Sequence, residues 1–450
     1  MKSRRSAQIV ATFALLIILG FLLLYFFGFQ KNGLNNKLLN SLFISTSAVC
    51  VTGLSTIDTA KDLTLTGQII LLALIQLGGL GVITISNWFL LSLKGKLSFT
   101  QSQSTTETFG ILTRQPVSKL LKKLVLFTVV LESIGIIILF SRFIVDFNIL
   151  DSLWLAAFHS ISAFCNAGFG LFSDSLIFYR HDPIINFTIM GLIIAGGIGF
   201  IVEVDLLEVV KARFRKKRLK LSLQSKVVLT TSFILIAFGF LLILILEWFN
   251  TMASEPILSR FLESLFLSVT ARTAGFNSLD TGQLTNMTLI IVILLMIIGA
   301  SPGSAGGGIK TTSAAIFWAL LTSNLRNRNN VEIYNRTIPY RTVSKAITII
   351  IFYFLTAFIS IMILQAVEIG DISHQKSRDI FLEHLFEVIS ALSTVGLSTG
   401  ITQKLSSAGQ VVIIFCMFVG RIGPLALALS IVGEKKKMHF TYPEEEMLVG

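Results

Sequence analysis

Long apolar runs dominate this chain, and polar or basic stretches separate them. The runs near 7–29, 67–93, 120–145, 185–210, 226–249, 286–323, 343–367 and 406–433 are each long enough to cross about 30 Å of hydrocarbon, which takes about 20 helical residues. Between the members of each successive pair lies a shorter, semi-apolar segment, near 37–50, 149–165, 257–272 and 378–393. At about 1.5 Å per residue these reach only part of the way through a bilayer. The pattern predicts an all-α membrane protein with eight transmembrane helices and four re-entrant half-helices. The first run outlasts the about 7–15 residues of a signal-peptide core, and no small-residue cleavage site follows it, so it is expected to remain as a membrane helix.

Each short segment ends in a similar stretch. These are Ser-Ala-Val-Cys-Val-Thr-Gly-Leu (47–54), Ser-Ala-Phe-Cys-Asn-Ala-Gly-Phe (162–169), Val-Thr-Ala-Arg-Thr-Ala-Gly-Phe (269–276) and Ser-Ala-Leu-Ser-Thr-Val-Gly-Leu (390–397). Gly53, Gly168, Gly275 and Gly396 therefore mark a repeat, and its unit is a whole membrane module: helix, half-helix, loop, helix. The modules are expected at 1–93, 94–210, 211–323 and 324–433, with a tail at 434–450. Each holds an even number of crossings, so all four enter from one side and a pseudo-fourfold ring around a single pore is their natural arrangement. A second echo, Gly78-Gly79-Leu80-Gly81, Gly196-Gly197-Ile198-Gly199 and Gly420-Arg421-Ile422-Gly423, is explained by close helix packing, which small residues permit in lipid.

Charge refines the topology. The net charge of +12 taken alone is of the sign that attracts nucleic acid, but position excludes that class. Most of the 37 Lys and Arg cluster at the N-terminus, at 94–123, 211–226 and 324–345, and at Lys435–Lys437. Placed together in the cytoplasm, with both termini, these clusters satisfy the positive-inside rule. Only 14% of residues are charged and the mean hydropathy is +0.79, against about 25% charged for a soluble domain. Cys50, Cys165 and Cys416 are odd in number and lack metal-ligand spacing, so they read as small buried residues.

The four loops carry the chemistry. A bare cation crossing the bilayer must exchange its water shell for fixed oxygens, and non-helical backbone survives at membrane depth only where it lines such a path. Glycine permits backbone angles that turn successive carbonyls toward an axis, and it adds no Cβ to narrow the passage. Each half-helix also points its carbonyl end at the loop, where the negative end of its dipole favours a cation. One Thr-x-Gly is an ordinary turn, whereas four in equivalent places indicate a selectivity filter. Its expected members are Val51, Thr52, Gly53, Asn166, Ala167, Gly168, Thr273, Ala274, Gly275, Thr394, Val395 and Gly396.

With these motifs the chain resembles the Trk/Ktr/HKT superfamily of potassium and sodium transporters, most closely the membrane subunits of bacterial Ktr systems, over nearly its whole length. Within that superfamily a serine at the first filter position accompanies sodium transport in plant relatives, and glycine at all four accompanies potassium. Gly53 therefore implies potassium, bound at the filter carbonyls. The resemblance also implies a homodimer in the cell membrane and a separate cytosolic RCK-type ring that binds adenine nucleotides. The tail Tyr442-Pro443-Glu444-Glu445-Glu446 is a candidate contact for either partner. No cofactor is expected in this chain, and sodium is left open as an activator. The rivals are a sodium or nonselective transporter of the same architecture, a membrane enzyme, for which no convergent acid, base or metal constellation stands out, and a rocking carrier, whose fold would show inverted repeats.

The third module departs from the others at 299–312, where Gly303, Ser304, Ala305, Gly306, Gly307, Gly308 and Lys310 fall within an apolar run. Each glycine costs a helix about 1 kcal/mol against alanine. The resemblance identifies this run as an intramembrane gate below the filter. It also looks like a phosphate-binding loop, but Ile309 separates Gly308 from Lys310 and no soluble strand-helix unit surrounds it. Lys310 and Arg421 are intramembrane charges, costly and therefore functional candidates, with simple carbonyl capping as the alternative. Arg421 is expected to hold the gate through its carbonyls, and Arg272 to brace the filter from behind. Glu203, Asp205 and Glu208 are expected to pair with the basic loop that follows them, and His159, His384 and Glu387 to make helix contacts and no zinc site.

Overall fold

A computed structural model describes residues 2–30, 36–81, 117–370, 373, 375, 377 and 380–423. The described chain is mostly helical, with one small hairpin, β1 (Glu332–Ile333) and β2 (Arg336–Thr337). The helices are α1 (Lys2–Leu23), extended by a π turn to Gly28, α2 (Lys37–Cys50), α3 (Leu65–Leu80), α4 (Val117–Phe143), α5 (Ile149–Phe164), α6 (Pro183–Ile198), α7 (Phe200–Phe214), α8 (Leu223–Glu247), α9 (Ile257–Thr270), α10 (Asn286–Ile297), α11 (Thr311–Leu325), α12 (Tyr340–Glu368), α13 (Ile380–Leu392) and α14 (Ser407–Ile422). Stretches in α1, α4, α8 and α12 are long and apolar enough to span a membrane. Leu15, Ile137, Phe233 and Phe358 on these helices stand more than half exposed, an arrangement that suits hydrocarbon and not water.

The half-helices α2, α5, α9 and α13 lie inside this frame. On each of them a phenylalanine, Phe43, Phe158, Phe266 or Phe386, is fully buried. After each of them the chain turns and returns through a shorter helix, α3, α6, α10 or α14, and polar N-caps set where each of these begins. Thr64, Asp182, Thr285 and Ser406 accept hydrogen bonds from free N–H groups of the first turn, as N-caps do. Each returning helix packs on the half-helix of the next segment: α3 on α5, α6 on α9, α10 on α13, and α14 on α2. The packing therefore closes on itself.

Two expectations from the apolar pattern are corrected. The run 185–210 is not one helix, because α6 and α7 meet at a 101° bend, so the third segment is not alone in being broken. The glycine echo also does more than pack. Gly81, Gly199 and Gly423 have φ of 82°, 87° and 91° and end α3, α6 and α14. L-side chains rarely adopt these angles, so the third glycine of each Gly-Gly-x-Gly or Gly-x-x-Gly stops its helix. The first glycine packs: Gly78, Gly196 and Gly420 lie against the carbonyls of Val49, Phe164 and Leu392 at the ends of the adjoining half-helices, where a Cβ would not fit. The parts of the runs at 82–93 and 424–433, the basic stretch 94–116, and the tail 434–450 with its Tyr442–Glu446 motif lie outside the described residues.

Candidate functional site: the glycine ring and the loop against it

The four loops adopt one backbone form. Val51, Asn166, Thr273 and Thr394 have φ of 56°, 57°, 69° and 51°, and the glycines two residues on have φ of 96°, 71°, 77° and 95°. Three of the four non-glycine residues are β-branched, and such residues enter the left-handed region only under constraint from their surroundings. The constraint is visible in the hydrogen bonds. Thr52, Ala167 and Val395 donate their N–H to the carbonyls of Ser47, Ser162 and Ser390 at 2.8 Å each, and Ala274 to that of Thr270 at 3.0 Å.

Hydroxyls complete the support. Ser47 and Ser390 Oγ accept from Gly53 and Gly396 N–H, both at 3.1 Å. Ser162 Oγ and Thr270 Oγ1 donate to the carbonyls of Phe169 and Phe276 at 2.7 and 2.8 Å. These four hydroxyl residues were not singled out from the sequence, although each stands first or second in its repeated stretch, so the signal was there. Replacing Ser390 by alanine would leave the buried Gly396 N–H without its acceptor. We expect a stability loss of about 1–3 kcal/mol, read as a lower unfolding midpoint of the detergent-solubilised protein.

The structure brings the four glycines together. A Cβ placed on Gly53 would lie 2.5 Å from the carbonyl oxygen of Ala167, one on Gly168 2.8 Å from that of Ala274, and one on Gly275 2.5 Å from that of Val395. One on Gly396 would overlap the carbonyl oxygen of Thr52. The contacts run from the first loop to the second, third and fourth and back to the first, so the twelve triplet residues form one closed ring. Side chains at positions 51, 52, 166, 167, 273, 274, 394 and 395 are buried. Beyond the first loop, partial burial opposes ionisation of Asp58, yet hydrogen bonds from Ser173, Lys61 and Ala60 outweigh it and hold its carboxyl below the ordinary range.

A second structure lies against the ring. The chain between α10 and α11 folds back on itself: Ile309 donates to the carbonyl of Ile297 at 3.0 Å, and Ala300 to that of Gly307 at 3.3 Å. Gly307 N–H donates to Thr394 Oγ1 at 2.9 Å, and Gly306 is so close to Thr273 Oγ1 that a Cβ there would overlap it. Gly303 accepts from Phe200 N–H at 3.2 Å, Ser301 donates to Gly197 at 3.0 Å and Ser304 to the Ser301 carbonyl at 3.3 Å. A Cβ on Gly199 would lie 2.6 Å from the Pro302 carbonyl, so the bend between α6 and α7 makes room for this loop. Gly308, at φ 70°, returns the chain toward Lys310.

Two cations engage the loop, Lys310 from within it and Arg421 from α14. Lys310 Nζ donates to the Gly306 carbonyl at 2.6 Å. Arg421 donates through its two terminal nitrogens to the carbonyls of Ala305 and Gly78, linking the loop to the end of α3. Arg272 is turned away from the ring, with its guanidinium at 3.2 Å from Ser232 Oγ and 3.4 Å from the Gly299 carbonyl. The remaining polar residues stand as follows. His159 bridges the Leu155 carbonyl and Leu171 N–H, His384 meets Gln365, and Glu387 accepts from Ser398 and Thr402. The acidic group of α7 departs from expectation, since Glu203 is buried and Glu208 pairs with Lys123 of α4 at 3.3 Å, while Asp205 meets the following segment at Ser222 N–H. Cys50, Cys165 and Cys416 are buried and free.

Comparison with known proteins agrees with this architecture. The profile of the TrkH family, described as cation transport protein, matches residues 2–439. The Ktr system potassium uptake protein B of Vibrio alginolyticus is 37% identical over 94% of this chain and 90% of its own length. The potassium/sodium uptake protein NtpJ of Enterococcus hirae is 35% identical over 98% of this chain and 96% of its own. Among solved structures, the potassium transporter TrkH from Vibrio parahaemolyticus superposes with a TM-score of 0.68, covering 88% of this chain and 79% of that one at 18% identity, a likeness of fold.

Proposed function

Because the chain belongs to the TrkH family of cation transport proteins, a family of membrane transporters and not enzymes, we propose that it is the potassium-conducting subunit of a Ktr-type uptake system. The observation that carries this reading is the closed ring of glycines, one from each of four similar loops. A potassium ion entering the ring exchanges its water for main-chain oxygens of residues 51–53, 166–168, 273–275 and 394–396. The half-helices α2, α5, α9 and α13 end at these loops, and their negative dipole ends favour a cation there. Eight crossings in four parallel modules around one pore accommodate this path, with the termini in the cytoplasm of a cell-membrane protein.

On this reading the loop at 299–312 is the gate. Arg421 and Thr394 hold it in place and Lys310 braces its fold from within, so that it obstructs the lower end of the path and the two cations repel a resting ion. A cytosolic, nucleotide-binding ring acting on a homodimer would move it; the relatives named as Ktr system proteins support a multi-component assembly. The relative named for potassium and sodium favours a second reading, a sodium or less selective transporter of the same build.

The two readings separate in cells that lack other potassium uptake systems. The native chain, with its regulator, should restore growth at low potassium, and Gly53→Ser, whose Cβ would press on the Ala167 carbonyl, should lower potassium uptake and discriminate less against sodium, by roughly tenfold for a loss of about 1.4 kcal/mol. Competition of sodium with rubidium uptake reads both. Equal sodium and potassium transport by the native chain would favour the second reading.

A further inference from the structure

Near the start of α9 lies a cluster that the ion path does not use. His181, in the turn before α6, stands beside Glu255, just ahead of α9, and Glu263 within it, and one ligand-capable atom from each lies within 4.8 Å of the others. Glu263 is fully buried and Glu255 nearly so, while the imidazole is about half open. Neither carboxylate oxygen of Glu263 accepts a hydrogen bond. The nearby cation is Arg180, whose Nη2 is 2.6 Å from Glu255 Oε1 but whose Nε is 3.9 Å from Glu263 Oε1. One guanidinium thus faces two buried carboxylates and leaves a negative charge uncompensated, which burial penalises unless a further cation or proton arrives.

The imidazole is set for ligation. Its Nδ1 lies 2.9 Å from Ser259 Oγ, and its Nε2 lies 3.2 Å from Arg180 Nε, which donates to it. Nε2 therefore carries the lone pair, and it lies 3.3 Å from Glu255 Oε2. A hydrogen-bond partner on the other ring nitrogen is what orients a metal-bound histidine. One imidazole with two carboxylates suits zinc and similar first-row ions, whereas calcium and magnesium prefer oxygen alone.

We propose that His181, Glu255 and Glu263 bind a divalent transition-metal ion of the zinc type, which clamps the turn before α6 to the half-helix α9. The ion displaces the Arg180 guanidinium, which is already one-third open to solvent, and it supplies the positive charge that Glu263 lacks. The site lies at an entrance to the protein surface through His181, so metal can reach it without passage through the ring.

The test uses the full chain, purified in detergent, with cobalt(II) as a spectroscopic probe and zinc(II) in calorimetric titration. The native chain should develop the intense visible bands of four- or five-coordinate cobalt, and zinc should abolish them. Zinc affinity should fall at least about tenfold in both His181→Ala and Glu255→Gln, and rise in Arg180→Gln, which removes the competing cation. Glu263→Gln is the more direct variant but alters a buried group; His181→Ala, at a half-open position, keeps the test decisive if that chain fails to fold. Unchanged zinc affinity in both His181→Ala and Glu255→Gln, or cobalt bound only with the weak bands of six-coordinate aqua ligation, would overturn the assignment.

Discussion

Cells that rely on this chain for potassium should fail to grow at low potassium when Gly396 is replaced by alanine, although the variant still reaches the membrane. Gly396 has φ of 95°, and left-handed backbone costs a residue with a Cβ about 1–2 kcal/mol. The greater obstacle is steric, because the new methyl would overlap the carbonyl oxygen of Thr52 and stand 3.0 Å from Gly53 Cα. Relief requires moving either the fourth loop or the first, and both line the proposed path. Gly191→Ala is the control: it lies in α6 with nothing near its would-be Cβ, and alanine in mid-helix is favoured by about 0.5–1 kcal/mol. Growth of the Gly396 variant at the native rate would mean that the ring does not carry the ion.

The second large effect is expected at Arg421. Its guanidinium ties the Ala305 carbonyl of the loop to the Gly78 carbonyl at the end of α3, and a hydrogen bond from a charged group contributes about 1.5–3 kcal/mol. Losing the bond to the loop should shift a closed-to-open balance by roughly tenfold to a hundredfold, at about 1.4 kcal/mol per factor of ten. Arg421→Met should therefore raise rubidium flux into proteoliposomes lacking any regulator. Arg421→Lys retains the charge but not the fork that reaches two carbonyls, so its flux should fall between. Equal flux in all three, at equal protein, would remove Arg421 from the gate.

The site was legible where the sequence repeats itself and obscure where tertiary contact decides. Four glycines in register, each at the end of a semi-apolar segment, announced a shared role because the chemistry is local to each loop. The bend at Gly199 was hidden, since Gly196-Gly197-Ile198-Gly199 sits inside an apolar run and hydropathy cannot tell a helical glycine from a helix stop. At Gly199 the φ of 87° ends the helix, and the Pro302 carbonyl that leaves no room for a Cβ there comes from about a hundred residues away. Glu203 was misread for a similar reason: Asp205 and Glu208 follow it closely in sequence, but α7 turns it inward. The group of His181, Glu255 and Glu263 shows no ligand spacing at all, and only the packing of α6 on α9 brings its parts together.

The loop between α10 and α11 has no described counterpart in the other three segments, and that asymmetry has a consequence for how flux would be switched. In a channel of four identical subunits, opening demands that equivalent parts act in concert, and its dependence on a regulator steepens accordingly. If the loop is the gate proposed above, a single quadrant would supply the obstruction, so one displacement would be sufficient and each pore should respond to its controller as a solitary two-position valve.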